Sequence, residues 1–271
     1  MALFSADFYT QQDPRSWKLP GAEVIIDKHD LDPYRELVAL GITLSAHSPM
    51  SVAIGSTRKG VRYVSTETVC EHLAILKELQ PGKVNHIVVH AANYSNRTPE
   101  EVYEIQRKTL WSLWFKMKER HLLDTSLICI ENLGKINQVG SIEDIIQLCK
   151  LTDNFIPCID FGHLHGRSLG KFLNSKEEFE QVFQQLYANL PAWKVDSMHI
   201  HFSKLLYTDK GEKKHTPFSD KPAGPKPAFF LRALSSQPPT FNPTVVCESP
   251  DSYRDGYKLW KNFEARCRTV L

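Results

Sequence analysis

The chain of 271 residues is long enough for one α/β barrel or for two small domains. With 42% hydrophobic and 24% charged residues, it has the composition of a globular protein with ample material for one large core. The net charge of +2 gives no overall sign of nucleic-acid binding, so a DNA-binding function would have to rest on a local positive groove.

The sequence contains no recognisable targeting or membrane segment. The N-terminus lacks a basic stretch followed by a long apolar run, which a signal peptide would have. No later stretch approaches the roughly 18 apolar residues that a membrane-spanning helix needs. The six cysteines form no CxxC pair and are expected to be buried as small hydrophobic side chains, which fits a reducing cytoplasm.

Short apolar runs alternate with amphipathic helical stretches along most of the chain. In chain order the predicted strands are Ile42–Ser45, His86–Val89, Leu127–Ile130, Phe155–Ile159, Met198–Phe202 and Val245–Cys247, with weaker candidates at Ala2–Ser5 and Glu23–Ile26. Several of these runs are continuously apolar, as expected for parallel strands that are covered on both faces. Because the composition shows no break, the alternation predicts a single α/β domain over residues 1–271.

Four of the predicted helices have readable first turns. Each begins with a hydroxyl residue followed three positions later by an acidic residue, as in a capping box: Thr68 with Glu71, Thr98 with Glu101, Ser141 with Asp144, and Ser175 with Glu178. The segment from about 204 to 227 lacks periodicity and contains several prolines and glycines, which predicts a long loop. A loop of that length inside a domain is usually functional or disordered.

Acidic residues and histidines stand at or near the ends of six successive predicted strands. They are His47, His90, Glu131, Asp160 with His163 three residues later, His199, and Glu248. One such residue alone is more often a helix cap or a hydrogen-bonded structural residue. If the strands close into a barrel, however, all of these side chains converge on the face where barrel enzymes place their active sites.

So many carboxylates and imidazoles in one place need a counter-charge. A cluster of cations supplies it. Histidine, aspartate and glutamate without thiolate suit Zn²⁺ or Mn²⁺, and several ions that share a bridging carboxylate suit the cleavage of a phosphodiester.

The same segments resemble the endonuclease IV family of apurinic/apyrimidinic endonucleases, whose members are TIM-type (β/α) barrels. The matching stretches are Ala46-His47-Ser48, Val89-His90, Cys129-Ile130-Glu131-Asn132, Cys158-Ile159-Asp160-Phe161-Gly162-His163, Met198-His199-Ile200, Lys214-His215 and Cys247-Glu248. They follow the family's order over roughly His47 to Glu248. The IEN and CIDxxH segments are the most specific, whereas a single histidine such as His90 is a weak match by itself.

The resemblance implies a site for two or three Zn²⁺ or Mn²⁺ ions. The implied ligand sets are His47, His90 and a bridging Glu131 for one ion, Glu131, Asp160, His199 and Glu248 for a second, and His163 and His215 for a third. The implied reaction hydrolyses duplex DNA on the 5′ side of an abasic sugar, with a metal-bound hydroxide as nucleophile and Glu131, Asp160 and Glu248 as catalytic residues. The protein is expected to be a monomer.

Two further residues are expected to contact DNA, if the resemblance holds. Arg15 matches an arginine in an early loop of the family, although a surface arginine beside Trp17 is an equally simple interpretation. Met50 follows His47 where the family usually inserts an aromatic side chain, and methionine can also wedge a base step. His165 and His201, which lie near proposed ligands, either orient them or simply line the site.

The sequence departs from the family in two places. The family has an aspartate two residues before the histidine matched by His215, whereas this chain has Lys213, whose ammonium would oppose a cation. Glu212 or Asp209 are the replacements that a shifted loop would allow. The usual first strand and helix are also absent from the match, so the barrel has either seven or eight strands.

Two other functions fit part of the pattern. Sugar isomerases and epimerases on the same kind of barrel hold one metal ion with a Glu, Asp, His, Glu set, which Glu131, Asp160, His199 and Glu248 would satisfy. The remaining histidines have no shared role in such a site. A protein that binds abasic DNA without cleaving it is the third possibility.

Overall fold

A closed barrel of eight strands forms the centre of the computed structural model, which describes residues 2–7 and 21–268. The strands in chain order are β1 (Ala2–Asp7), β2 (Gly21–Val24), β3 (Leu44–His47), β4 (Asn85–His90), β5 (Ser126–Glu131), β6 (Phe155–Asp160), β7 (His199–Phe202), β8 (Lys204–Thr208), β9 (Gly211–Thr216) and β10 (Thr244–Cys247). All except β8 and β9 belong to the barrel. The predicted TIM-type barrel is therefore confirmed.

Both weak strand candidates near the N-terminus take part in the barrel, which accordingly has eight strands and not seven. Strand β2 pairs parallel with β3, and the next strands continue in parallel order up to β10. Strand β1 closes the ring by pairing antiparallel with β2 on one side and β10 on the other. The residues between these two strands, including Arg15, lie outside the described residues.

Nine helices surround the barrel in the described part of the chain. They are α1 (Asp32–Ala39), α2 (Lys59–Leu79), α3 (Pro99–Glu119), α4 (Ile142–Cys149), α5 (Phe161–Arg167), α6 (Lys176–Asn189), α7 (Ala192–Asp196), α8 (Pro227–Leu234) and α9 (Ser252–Arg268). Judged over residues 2–7 and 21–268, each helix is too short or too polar to cross a bilayer.

Three of the four predicted helix starts are confirmed. Thr98 and Ser141 each form a capping box, and the Ser175 hydroxyl accepts a hydrogen bond from the backbone N–H of Glu178. The predicted start at Thr68 is wrong, because α2 begins at Lys59 and runs through that position. The hydroxyl of Thr68 instead donates a hydrogen bond to the carbonyl of Val64, one turn earlier in the same helix.

The predicted long loop between about 204 and 227 is also wrong in its first half. Strands β8 and β9 form an antiparallel hairpin there, and only the remainder, up to Pro227, is irregular. Leu205 anchors the hairpin, being fully buried against α5. The hairpin carries His215 to the mouth of the barrel, and it therefore matters for the site.

Apolar side chains fill two separate regions. The larger lies between the barrel and the helices, where Phe161 packs against Phe179, Phe183 and Phe230 with ring centroids 5.1 to 5.6 Å apart. The smaller lies inside the barrel and consists of Val88, Cys129, Ile156 and Cys158. Five of the six cysteines are buried free thiols, as expected, and Cys267 lies where side chains are not described.

Candidate metal centre

The carboxyl ends of the parallel strands bring most of the predicted residues together around Glu131. This glutamate is the last residue of β5, is fully buried, and directs one carboxylate oxygen to each side. Its Oε2 atom lies 3.3 Å from Nε2 of His47 and 3.2 Å from Nε2 of His90. The Nδ1 atom of His47 donates a hydrogen bond of 2.8 Å to the carbonyl oxygen of Ser48, so Nε2 is the nitrogen that would bind a cation once its proton is released.

The other oxygen of Glu131 faces a second group of side chains. Oε1 lies 3.2 Å from Nδ1 of His201, and that nitrogen also lies 3.2 Å from Oε1 of Glu248. Because its two oxygens face different imidazoles, Glu131 has the position of a bridging ligand. Two overlapping sets of potential ligand atoms share it, one with His47 and His90 and one with Cys158 and His201, and the atoms of each set lie within 4.8 Å of one another.

The structure places His201, and not the expected His199, beside Glu131 and Glu248. Both histidines point into the barrel because side chains two residues apart share one face of a strand. His199, however, begins β7, one pleat repeat of about 6.6 Å deeper. There its Nε2 atom lies 2.8 Å from Oε2 of Glu23. The expected position of His199 in the centre is therefore corrected.

A third group forms where β6 leads into α5. The side chain of Asp160 caps this helix, since its Oδ1 accepts a hydrogen bond of 2.7 Å from the backbone N–H of His163. The ring of His163 donates from Nδ1 to the carbonyl of Asn132 at 2.8 Å, which leaves Nε2 free to bind a cation. Asp160, His163, His215 and Glu248 have ligand atoms within 4.8 Å of one another.

The hairpin resolves the question raised by Lys213. Lys214 lies opposite Leu206 and Glu212 lies opposite Tyr207, so Lys213 is an extra residue in a β-bulge. The bulge turns Glu212 towards the centre, where its Oε2 lies 3.6 Å from Nε2 of His163. Lys213 itself is exposed. Of the two replacements considered for the missing aspartate, the structure favours Glu212.

A glycine makes room for that carboxylate. A Cβ atom on Gly134 would lie 2.7 Å from Cβ of Glu212, a distance that side chains do not tolerate. The backbone N–H of Glu212 donates a hydrogen bond of 3.0 Å to the carbonyl of Gly134. The loop after β5 therefore fixes where Glu212 lies.

The carboxylates and imidazoles of the centre shift one another's pKa values. Burial opposes the protonation of His47, but its hydrogen bond to Glu131 and nearby carboxylate charges raise its pKa to about 9. The pKa of His163 is also raised to about 9, because the charges of Asp160 and Glu131 outweigh burial. Burial and the charge of Glu248 raise the pKa of Asp160, although His163 opposes them. Without a cation, the centre therefore keeps protons among its ligands.

This donor set fits divalent metal ions. Without metal, protons on the imidazoles compensate the negative charge of the buried carboxylates. Cations would replace these protons. Within the described residues, Asp160 Oδ2 is buried without a hydrogen-bond partner, which leaves that oxygen available. Imidazole and carboxylate ligands suit Zn²⁺ or Mn²⁺, as the sequence predicts.

A cleft of about 750 Å³ opens above the centre. Its walls include Arg97, Lys135 and Gln138 beside the acidic residues. Met50 lies on its rim with 78% of its surface exposed, so the side chain predicted to contact DNA is accessible. His165 lies outside this cleft lining and donates from Nδ1 to the carbonyl of Phe172 at 2.7 Å.

A family model described as a xylose isomerase-like TIM barrel matches residues 24–263. The chain belongs to this family. The match covers every barrel strand from the end of β2 onwards and all of the residues gathered around Glu131.

Two relatives share low sequence identity with this member of the family. A protein of Methanocaldococcus jannaschii is 27% identical over 222 residues, which are 81% of this chain and 76% of that protein. A protein of Finegoldia magna named probable endonuclease 4 is 24% identical over 245 residues, which are 87% of this chain and 79% of that protein. The resemblance to endonuclease IV is thus confirmed at low identity.

Solved structures share the fold of this family member. A D-tagatose 3-epimerase-like protein has a TM-score of 0.65 and 18% identity, covering 92% of this chain and 89% of that one. SacUVDE has a TM-score of 0.59 and 19% identity, covering 88% and 71%. The IOLI protein, solved with a zinc atom, has a TM-score of 0.56 and 14% identity, covering 89% and 82%. Proteins of this fold therefore include one that binds a metal ion.

The sequence does not indicate Glu23 as part of the site, and it indicates His201 only as a neighbour of the ligands and Glu212 only as one of two replacements for the missing aspartate. Glu23 lies on the strand that had been only a weak candidate, and its inward position follows once β2 is placed. His199 and His201 lie two residues apart and share one face of β7, so the sequence alone does not show which of them contacts Glu131. The orientation of Glu212 towards the centre depends on the β-bulge at Lys213, which sequence spacing does not reveal.

Proposed function

We propose that the protein is a metal-dependent endonuclease that hydrolyses the phosphodiester on the 5′ side of abasic sites in duplex DNA. The observation that carries this proposal is the double-sided arrangement of Glu131. Its Oε2 faces His47 and His90, and its Oε1 faces His201. A carboxylate with imidazoles on both sides supports binding of more than one cation, which phosphodiester hydrolysis commonly uses.

The chain's own residues would hold and orient the ions. His47, His90 and Glu131 would hold the first, and Glu131, Asp160, His201 and Glu248 the second. His163, His215 and Glu212 would hold a third. Bound ions would supply Lewis acidity towards the phosphate and make a water molecule a nucleophile at neutral pH.

The cleft supports a nucleic-acid substrate more than a small sugar. It stays open across the mouth of the barrel, and its rim carries Arg97, Lys135 and the exposed Met50. The two basic side chains can contact phosphates, whereas Met50 can enter a base step next to a missing base. An overall charge of +2 is compatible with such a local arrangement.

A sugar epimerase is the second candidate function. Glu131, Asp160, His201 and Glu248 form the set that a one-metal sugar site would use, and fold similarity extends to a D-tagatose 3-epimerase-like protein. This function leaves His47, His90, His163 and His215 without a role. Metal content discriminates the two, because two or three ions per chain favour the nuclease and one favours the epimerase.

The test is a cleavage assay on duplex DNA that carries one synthetic abasic site, with Zn²⁺, with Mn²⁺ and with chelator. We expect metal-dependent incision 5′ to the site. Glu131→Gln should lower the rate by about 1000-fold or more, because it removes the bridging charge. Glu119→Gln is the matched control, since that glutamate is exposed at the end of α3. Absence of incision by the folded protein with either metal would reject the proposal.

A further inference from the structure

The barrel interior contains a second group of potential metal ligands, deeper than the centre around Glu131. It consists of His86 on β4, Cys129 on β5 and His199 on β7, whose ligand atoms all lie within 4.8 Å of one another. The rings of His86 and His199 meet edge to face with centroids 6.0 Å apart. Branched apolar residues usually fill this part of a barrel. Two histidines and a cysteine in their place therefore call for an explanation in terms of their chemistry.

His199 has a buried ring nitrogen that makes no hydrogen bond within the described part of the chain. Its Nε2 atom lies 2.8 Å from the carboxylate of Glu23, which can only accept, so Nε2 carries the hydrogen. Nδ1 therefore presents a lone pair. That atom is buried, the residue is 0% exposed, and Nδ1 has no hydrogen-bond partner among the described residues. A carboxylate that holds one imidazole nitrogen while the other faces a cation is the usual arrangement around bound zinc.

The remaining two side chains supply compatible ligands. Cys129 is a buried free thiol with 0% exposure, directed into the small interior cluster with Val88. His86 is half-buried at the lower end of the barrel, opposite the cleft. In a tetrahedral zinc site the nitrogen and sulfur ligands lie about 3.3 to 3.6 Å apart, so small side-chain movements suffice here.

We propose that His86, Cys129 and His199 form a separate binding site for a thiophilic divalent ion, zinc, inside the barrel. One thiolate and two imidazoles are a ligand set that zinc prefers over magnesium, calcium or manganese. Three protein ligands leave a fourth position for water. Because Glu23 contacts both His199 and His201, at 2.8 and 3.3 Å, this buried ion would also fix the side chains below the upper centre.

The test uses Co²⁺ as a spectroscopic substitute for zinc in the metal-free full-length protein. A thiolate bound to Co²⁺ gives a charge-transfer band in the near ultraviolet, which imidazole and carboxylate ligands do not produce. We expect this band in the unaltered protein and at least a tenfold loss of its intensity in Cys129→Ser. The matched control is Cys158→Ser, which should keep the band. Cys158 is the other interior thiol and lies next to His201 and Glu131.

A second variant guards against a folding defect in the first. His86→Gln changes a partly exposed residue at the lower end of the barrel. It should lower the affinity for Co²⁺, measured by titration of the charge-transfer band, by at least tenfold. A band that survives Cys129→Ser, that disappears in Cys158→Ser, or that is absent from the unaltered protein would overturn the proposal. The readout does not depend on DNA cleavage, so it stands or falls separately from the proposed nuclease.

Discussion

Glu212 and His215 lie on the same side of the β8–β9 hairpin although they are three positions apart in sequence. The bulge at Lys213 makes this possible, since it adds one residue and restores the alternation of faces. Oε1 of Glu212 lies 3.9 Å from Nε2 of His215, and Oε2 lies 3.6 Å from Nε2 of His163. A carboxylate therefore lies beside both histidines, where the resemblance to endonuclease IV leads one to expect an aspartate.

The first prediction concerns this carboxylate. Glu212→Gln should lower the affinity of the centre for its most weakly bound ion by about 10- to 100-fold. At limiting metal concentration the variant should therefore hold one ion fewer. Metal content after dialysis against limiting Zn²⁺ measures the effect. Lys213→Gln is the matched control, since Lys213 is exposed and should leave the metal content unchanged. An equal loss in both variants would contradict the assignment of Glu212.

The second prediction concerns protons. His47 and His163 have pKa values raised to about 9, so both rings are protonated at neutral pH when no metal is bound. A metal ion binds only the deprotonated ring, and binding must release these protons. We therefore expect the metal affinity to fall as the pH is lowered below about 9.

Isothermal titration calorimetry in buffers with different ionisation enthalpies measures this release. More than one proton per chain should leave when Zn²⁺ binds at neutral pH, and the number should decrease as the pH rises through the pKa values of His47 and His163. Release that does not change with pH would contradict this account of the centre.

The third prediction compares the two inward-facing histidines of β7. His201→Gln should lower abasic-site cleavage by about 100-fold or more, because it removes the imidazole between Glu131 and Glu248. His199→Gln should reduce cleavage by less than about tenfold, because its ring contacts Glu23 one layer deeper. Single-turnover rates at saturating Mn²⁺ check this order. The reverse order would restore the assignment of His199 made from the sequence.

The fourth prediction concerns Met50. Its side chain is 78% exposed, so Met50→Ala should change the free energy of unfolding by no more than about 0.5 kcal/mol. If Met50 wedges a base step, the same change should weaken binding to abasic duplex several-fold and leave binding to intact duplex unchanged. Fluorescence anisotropy with both duplexes in chelator measures the difference. An equal effect on both duplexes would indicate a general contact and not a wedge.

The sequence predicted the barrel and the convergence of the strand ends because both follow from local patterns. Continuous apolar runs identify parallel strands, and a charged residue at the end of each must face the same end of the barrel. For this reason His47 and His90 lie beside Glu131, and Asp160 lies beside Glu248, at the same end of the barrel.

The features that the sequence could not predict depend on pairing between distant segments. The choice between His199 and His201 depends on the depth at which β7 lies in the barrel. The position of Glu212 depends on the register between β8 and β9 and on the room left by Gly134. The closing role of β1 depends on its direction, which the sequence of a short apolar strand does not encode.

That closing strand has a consequence for how the protein folds. Ser5 of β1 pairs with Val246 of β10, so the ring is completed by a contact between segments that are far apart in the chain. Until β10 has been synthesised, both β1 and β7 present an unpaired edge, and such edges can associate with other chains. Closure of so large a loop is also slow compared with formation of the neighbouring strand–helix units. We therefore expect the nascent protein to depend on protection from aggregation until its last strand is released from the ribosome.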